Sequence, residues 1–361
     1  MSEVETTRER SPRGRSQKVE IPNWKRYRCF AIGIGYCGSD YQGLQFQPDC
    51  PTVERDVQIA LVSAGLVDPL LTTEDGRWQL FWSRAARTDR GVHACCNVLA
   101  CRMDADKIKV VEGSDPIELD QEYFVDLLNA HLPPAIRTIF VNRVTMKFDA
   151  RTYADRRYYE YYLPAMIGDH RLDMEKLDWE MQKYVGTHNF HNFTKGIHPN
   201  DKTGERHLVS VETREVQSSC ICIRLFGQSF LLNQIRKMVS LAIEVSLGLA
   251  PSNAIDTALA SKTLVHTHMV PGDGLLLDRL FFRGYDRHKC GDYSVTTPFN
   301  WLIADEESDG HQSVMARIED FKRHLVETEI LPRLEEKFAE WLDLVIIPNS
   351  WEKRHAQPEN S

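Results

Sequence analysis

The stretch Ser83 to Asn97, S-R-A-A-R-T-D-R-G-V-H-A-C-C-N, sets one carboxylate, Asp89, among three guanidiniums, Arg84, Arg87 and Arg90, and then reaches Gly91. Arginine stays cationic at any relevant pH, so the pattern predicts an Asp89 held as a carboxylate even where it is partly desolvated. An ionised, anchored carboxylate can act as a nucleophile. Gly91 permits a sharp turn and Val98 to Met103 alternates like a strand, which places Asp89 on a loop just before a strand. Loops on a rigid scaffold are where chemistry concentrates. Taken alone, an Arg-Asp-Arg turn is also what a solvated surface looks like, so the surrounding chain has to decide.

Upstream, Tyr27 to Gly35 has strand character and Tyr36 to Pro48, Y-C-G-S-D-Y-Q-G-L-Q-F-Q-P, follows as a Gly-punctuated loop. Thr52 is placed to cap a helix with Val53, Val57, Ala60, Leu61 and Ala64 on one face and Glu54 in its first turn. Downstream, Gln121 to Leu132 has helical spacing through Phe124, Leu128 and His131, ended by Pro133 and Pro134. Arg137 to Phe148 alternates again. Phe148 to Pro164, F-D-A-R-T-Y-A-D-R-R-Y-Y-E-Y-Y-L-P, packs five tyrosines and three arginines into a segment of strand character, with Tyr159 and Tyr161 on one strand face. Aromatic rings interleaved with guanidiniums suit an unstacked base and its phosphates, and tyrosine is also common in strand cores.

Leu177 to Val185 predicts a helix leading into a loop, G-T-H-N-F-H-N-F-T, Gly186 to Thr194. His188 and His191 are three apart without a nearby carboxylate pair, which favours hydrogen bonding over a metal site. His207 to Val216 and Cys220 to Gln228 predict a β-hairpin, and Ser229 to Gly248 a long apolar helix through Leu231, Ile235, Met238, Ala242 and Val245. Asn233, Arg236 and Lys237 sit near its start, and a half-buried Arg236 calls for a carboxylate partner. Pro271 to Phe282 is a Gly turn feeding a final strand. Ile318, Phe321 and Leu325, then Leu334, Phe338, Trp341 and Leu342, mark two amphipathic helices, the second with Pro332 near its start. Their acidic outer faces predict packing on the core and a steric boundary on the substrate.

Four of these stretches together resemble the TruA family of tRNA pseudouridine synthases. R-T-D-R-G-V-H-A is similar to its catalytic motif, which implies Asp89 as nucleophile. The opening strand, Tyr-x-Gly loop and Thr-x-Glu helix match its start. Its R-x-Y-x-Y pattern implies Tyr159, preceded by Arg157, as the residue that stacks on the target base. Its F-x-x-x-Q-x-R-x-M motif implies Arg236 as the partner of the nucleophile. G-T-H-N-F-H-N-F-T resembles the eukaryotic branch that includes pseudouridylate synthase 1. Two positions depart from the pattern: Leu44 stands where many relatives carry Trp, and Arg90 where that branch often has Lys.

The resemblance implies an α/β (α+β) fold of two subdomains, each with an antiparallel sheet, flanking a basic cleft with Asp89 at its floor. The corresponding division is a disordered 1–22, an N-terminal catalytic subdomain 23–147, a C-terminal subdomain 148–290 and a helical extension 300–361. It implies isomerisation of specific uridines to pseudouridine by Asp89, Tyr159 and Arg236, with Arg84, Arg87, Arg90, Arg157, Asn233 and Lys237 contacting RNA. Moving the glycosidic bond from N1 to C5 involves no net redox change and no energy input, so no cofactor and no metal is expected. Attack by Asp89 at the ribose, attack at the base and a glycal route all fit. The expected substrate is tRNA, with mRNA and small nuclear RNA left open as further substrates; no obligate protein partner and no membrane partner are expected. A noncatalytic RNA-binding or tRNA-folding protein on the same scaffold is the alternative. A carboxylate glycosidase would need a second acid beside Asp89, for which Asp149 and Asp273 are weak candidates.

Composition sets the outer limits. At 361 residues and 42% hydrophobic content the chain can bury a sizeable core in about two domains. The N-terminus, Met1 to Lys18, is polar with both glutamates and arginines, unlike a signal or transit peptide, so the expected location is nuclear, cytoplasmic or both, with a mitochondrial location left open although no clear transit peptide is present. Nine scattered cysteines without a C-x-x-C pair suggest a reducing compartment and buried thiols. Net charge is −8, yet residues 301–361 carry 7 Lys plus Arg against 14 Asp plus Glu, so nearly all of the acidity lies in the tail. Basic clusters at 84–90, 137–157 and 236–237 are then free to form one positive cleft, which is what a phosphate backbone meets.

Overall fold

The computed structural model describes residues 26–69, 80–110, 119–216, 219–260, 262, 264–289, 299 and 309–355. The disorder expected for residues 1–22 and the ninth cysteine, Cys290, lie outside them. In chain order the first part holds β1 (Tyr27–Tyr36), α1 (Val53–Ser63), β2 (Trp82–Arg84), β3 (His93–Asp104), α2 (Gln121–Asn129), β4 (Ile136–Arg143) and α3 (Ala150–Tyr153). The second holds β5 (Arg156–Pro164), β6 (Met166–Ile167), β7 (His170–Arg171), α4 (Met174–Gln182), β8 (Gly186–Asn189), β9 (Glu205–Glu215), β10 (Cys220–Gly227), α5 (Gln234–Ser246), α6 (Ala254–Ala260), β11 (Leu275–Phe281) and α7 (Arg283–Lys289). The last holds α8 (Asp309–Leu325), α9 (Leu331–Trp341) and α10 (Trp351–His355), with π-helical turns at Val326–Ile330 and Leu342–Ile346.

One nine-stranded mixed sheet runs through the molecule in the order β4-β1-β3-β11-β5-β10-β9-β8, with β2 also on β3. The expectation of two separate antiparallel sheets is therefore corrected. Two antiparallel blocks do exist, but β3 and β11 fuse them through a short parallel ladder, Leu276 with His93 and Leu277 with Ala94. Such a brief pairing of strands 180 residues apart leaves no sequence pattern of its own. It creates a lateral row, Ala94, Leu277, Tyr159 and Leu225, that carries the start of β3 to within one strand of β5. Because β3 begins at His93, the loop bearing Asp89 ends beside Tyr159.

β3 is buried along almost its whole length, which explains its run of small residues: Cys95, Cys96 and Cys101 are fully buried, and burial pushes their thiols upward into inertness. α2 follows its predicted course with Asp120 accepting from the Tyr123 amide at 3.0 Å, but it ends at Asn129 and leaves His131 exposed rather than on the buried face. α5 begins at Gln234, five residues later than its apolar run suggested, because Asn233 takes a left-handed backbone, φ 64°. Gly186 to Asn189, expected as loop, is the edge strand β8 paired with β9. Thr52 precedes α1 with extended backbone, yet its hydroxyl makes no capping bond, and Glu54 serves a different purpose described below.

The C-terminal helices pack on the core as expected. Val314, Ile318 and Leu325 of α8 and Leu334, Phe338 and Trp341 of α9 are buried. Gly35 of β1 is required there, since a Cβ would lie 2.5 Å from the Phe321 ring. No helix among the described residues is long and apolar enough to cross a membrane.

Candidate active site

The loop between β2 and β3 is held from several sides. The Ala85 amide donates to the Val98 carbonyl at 2.8 Å, and the Leu44 amide donates to the Thr88 carbonyl at 3.2 Å. Asn97 donates to the Tyr36 hydroxyl at 3.2 Å and to the Ala86 carbonyl at 3.0 Å, leaving the Tyr36 hydroxyl to donate to Thr88 Oγ1 at 2.8 Å. Gly43, at φ 113°, lets the first loop lie against the Thr88 carbonyl, which a Cβ would approach to 2.7 Å. The Gly38 amide donates to His93 Nδ1 at 3.2 Å, and burial pushes that imidazole down to about 4, so it acts as a neutral acceptor. Asp89 sits at the end of this fixed loop, where the Val92 amide returns to its carbonyl at 3.2 Å.

A cavity of about 560 Å³ opens beside it, lined by Trp82 to Asp89, Val92, Asp149, Arg151, Arg157, Tyr159, Arg206, Ser229 to Arg236 and Leu275. Burial raises the Asp89 carboxyl above its ordinary value, and Arg236 opposes this by attracting the ionised form. The compensating charge thus differs from the expectation. Arg84 turns away and forks onto Glu54, with Nη2 at 2.9 Å, and Arg87 and Arg90 are exposed. Arg236 reaches the site from the first turn of α5, its Nε donating to the Val270 carbonyl at 2.8 Å; burial lowers its guanidinium from the ordinary value, and Tyr161, Asp89 and Asp273 oppose that fall. Among the described residues it closes no direct ion pair with Asp89.

Tyr159 is almost wholly buried, and its ring meets Phe230 edge-on at 5.3 Å between centroids. Burial pushes its phenol up to about 12, with Asp89 adding to the rise and Arg157 opposing it, so the ring is neutral at physiological pH. Arg157 lines the cavity but spends its guanidinium on the wall: Nη1 donates to the Gln228 carbonyl at 2.6 Å and Nη2 to the Ala85 carbonyl at 3.3 Å, tying β5 to the Asp89 loop. Of the residues read from sequence as RNA contacts, Arg84, Arg87, Arg157 and Asn233 line the cavity, whereas Arg90 and Lys237 do not. Lys237 donates to the Thr194 carbonyl at 3.2 Å. Arg137, part of a basic cluster expected in the cleft, instead binds the carbonyls of Pro133 and Ile136.

Two further cavity cations were not among the residues expected to contact RNA: Arg151 of α3, which belongs to the basic cluster at 137–157, and Arg206 of β9, which no motif spacing announces. Phe230, Leu231 and Leu232 form an apolar lip, with Leu232 57% exposed. Asp149 lines the cavity but caps α3, accepting from the Thr152 amide at 2.8 Å. His188 and His191 are hydrogen-bonded to the Val185 carbonyl and the Asn189 side chain at 3.1 and 3.2 Å.

A cavity with a partly desolvated carboxylate, a guanidinium that offsets its burial, a buried aromatic ring and arginines in its lining has the chemistry to receive an anionic, ring-containing substrate. Comparison with known proteins gives that class its family. A family model described as tRNA pseudouridine synthase matches residues 181–282, which include Arg236. The chain is 30% identical over 338 residues to the pseudouridylate synthase 1 homolog of Homo sapiens, covering 88% of this chain and 72% of that one. It is 31% identical over 271 residues to tRNA pseudouridine synthase A of Methanosphaera stadtmanae, covering 74% of this chain and 88% of that one. It is 28% identical over 327 residues to the tRNA pseudouridine(27/28) synthase of Saccharomyces cerevisiae, covering 70% and 84% respectively. The chain belongs to the TruA family of tRNA pseudouridine synthases, which are isomerases.

Proposed function

We propose that Asp89 performs the isomerisation, with Tyr159 stacking on the target uracil and Arg236 positioning the carboxylate. The observation that carries this reading is the shared cavity: a desolvated carboxylate whose charge is answered by Arg236, one strand away from a neutral buried tyrosine. A uridine flipped into that space would present C1′ and the uracil ring to Asp89 and lay the base along Tyr159. The bond from C1′ to N1 breaks, uracil turns within the cavity, the bond from C1′ to C5 forms, and the C5 proton leaves while N1 regains one. Asp89 supplies the oxygen that drives the first step. Tyr159, as a neutral phenol, contributes its ring face and a hydroxyl rather than a phenolate.

Arg87, Arg151 and Arg206 would engage phosphates at the mouth, while Arg157 holds the walls together. The two blocks of sheet, residues 23–147 and 148–290, would form the cleft's two sides. The substrate is proposed to be tRNA, with positions 27 and 28, carried in the name of the yeast relative, the first to test; mRNA and small nuclear RNA are further substrates to assay beside it. Action in the nucleus, the cytoplasm or both accompanies this reading. Release of tritium from C5-labelled uridine in transcribed tRNA tests it: wild type should release label, and Asp89→Ala or Asp89→Asn should lower release by at least a thousandfold while RNA affinity stays within a few-fold. Retained release in either variant removes Asp89 from the chemistry, and binding without release by wild type favours a noncatalytic RNA-binding protein.

A further inference from the structure

A second cavity of about 430 Å³ adjoins the first, and Gln45, Phe46, Glu54, Gln58, Trp82 and Arg84 are among its walls. Trp82 and Arg84 belong to both cavities, so the two spaces are partitioned by side chains that each of them shares. The partition is fixed by one carboxylate. Glu54, with no exposed side-chain surface, accepts from both Arg84 Nε and Nη2, from Trp82 Nε1 at 2.9 Å and from the Phe46 amide at 2.8 Å. The first loop and α1, adjacent in sequence, and β2, 30 residues further on, are thereby locked around a preformed space.

The chemistry of that space points away from phosphate and toward a base. Among the described residues its one lining cation, Arg84, is neutralised by Glu54, so it offers little to a bare anion. What remains is a partly exposed Phe46 ring and two carboxamides, Gln45 and Gln58, each able to donate and to accept. Rings plus carboxamides are the means by which proteins hold an unstacked RNA base: a face to stack on and an edge to hydrogen-bond. Arg84 Nη1 has no partner among the described residues, leaving one N–H donor pair at the partition for the phosphate that links two nucleotides. The volume falls in the range of ordinary small-ligand pockets.

We infer that this cavity is a subsite for the nucleobase adjacent in sequence to the target uridine, so that the enzyme unstacks two consecutive nucleotides and seats one in each cavity. The inference rests on the function proposed above. Its test pairs a protein change with an RNA change. Phe46→Ala removes the ring but keeps the backbone amide that Glu54 needs, so the partition survives. The RNA change is an abasic nucleotide placed immediately 5′ or immediately 3′ of the target, in a minimal substrate whose C5-labelled uridine reports turnover.

Wild type should lose about tenfold in kcat/KM, carried in KM, on one of the two abasic RNAs, the size expected for one base–aromatic stack. Phe46→Ala should lose a similar factor on intact RNA and nothing further on that abasic RNA. Gln45→Ala should alter the preference among bases at the same nucleotide and leave the other neighbour unaffected. Losses that multiply in the Phe46→Ala and abasic combination, or no abasic effect at either neighbour, would overturn the subsite while leaving Asp89 chemistry intact. A wild type that turns over no RNA would overturn both readings.

Discussion

At the residue scale the site turns on a carboxylate that burial and charge pull in opposite directions. Burial raises Asp89 and Arg236 opposes the rise, and on the proposed reading the active form is the ionised one. Activity should therefore be full above the folded-state value of Asp89 and fall as pH drops through it, with the acid limb displaced upward from that of an ordinary aspartate. Arg236→Gln removes the opposing charge. The acid limb of kcat/KM should then move to higher pH as the maximal rate drops, by about tenfold or more. A rate loss with an unmoved limb would show that Arg236 acts on substrate and not through Asp89.

At the element scale the informative case is the wall between the two cavities. Glu54→Gln places an amide where a carboxylate receives four donors, and the carboxamide nitrogen then faces guanidinium and indole N–H groups. The loss should be about 3 kcal/mol, as for a buried ion pair stripped of one partner, seen as a lower urea midpoint with unchanged slope. An unchanged midpoint would mean that the first loop and β2 do not depend on Glu54. Local pattern announced much here: β1, the start of β5, the β9–β10 hairpin and the Gly91 turn all follow from alternation and turn residues within a few positions. Glu54 with Arg84 did not, because the partners are 30 residues apart and a glutamate in a first turn already has an adequate local explanation in the helix dipole. Arg206 was missed for the same reason: only its place at the start of β9, on the cavity wall, gives it a role. The edge strand β8 was hidden by its Gly and His content, which suits a loop until β9 supplies the pairing.

At the scale of the molecule, the chain's acidic tail is part of the core that supports the site. Tyr159 and Glu160 are neighbours on β5 and point to opposite faces of the sheet. Tyr159 lines the cavity. Glu160 is fully buried on the other face, where Lys322 of α8 donates to it at 3.0 Å and to Asp278 of β11 at 2.8 Å. Arg279 completes the Asp278 pair, and Arg224 Nε donates to Glu160 at 3.3 Å. Arg279 and Lys322 hold the Asp278 carboxyl below its usual value against the pull of burial, and the two carboxylates raise Lys322 above its own despite its burial. A depressed carboxylate contributes stability that is present above the unfolded-state value and is lost as pH falls through the folded one.

Lys322→Ala should therefore cost about 3–5 kcal/mol at pH 7, measured by urea unfolding, because two buried carboxylates lose a shared partner. That deficit should shrink as pH falls, because the Asp278 carboxyl, held low in wild type by Arg279 and Lys322, takes up its proton more readily once Lys322 is gone. Well below the variant's melting temperature, kcat on tRNA should stay within about twofold of wild type, since Lys322 lies across the sheet from Tyr159. A stability loss confined to the tail, with the sheet's own unfolding unmoved, would show the extension to be an appended unit. A single, cooperatively lowered transition would show instead that the helices behind β5 and β11 hold together the strands that bring Tyr159 beside the Asp89 loop.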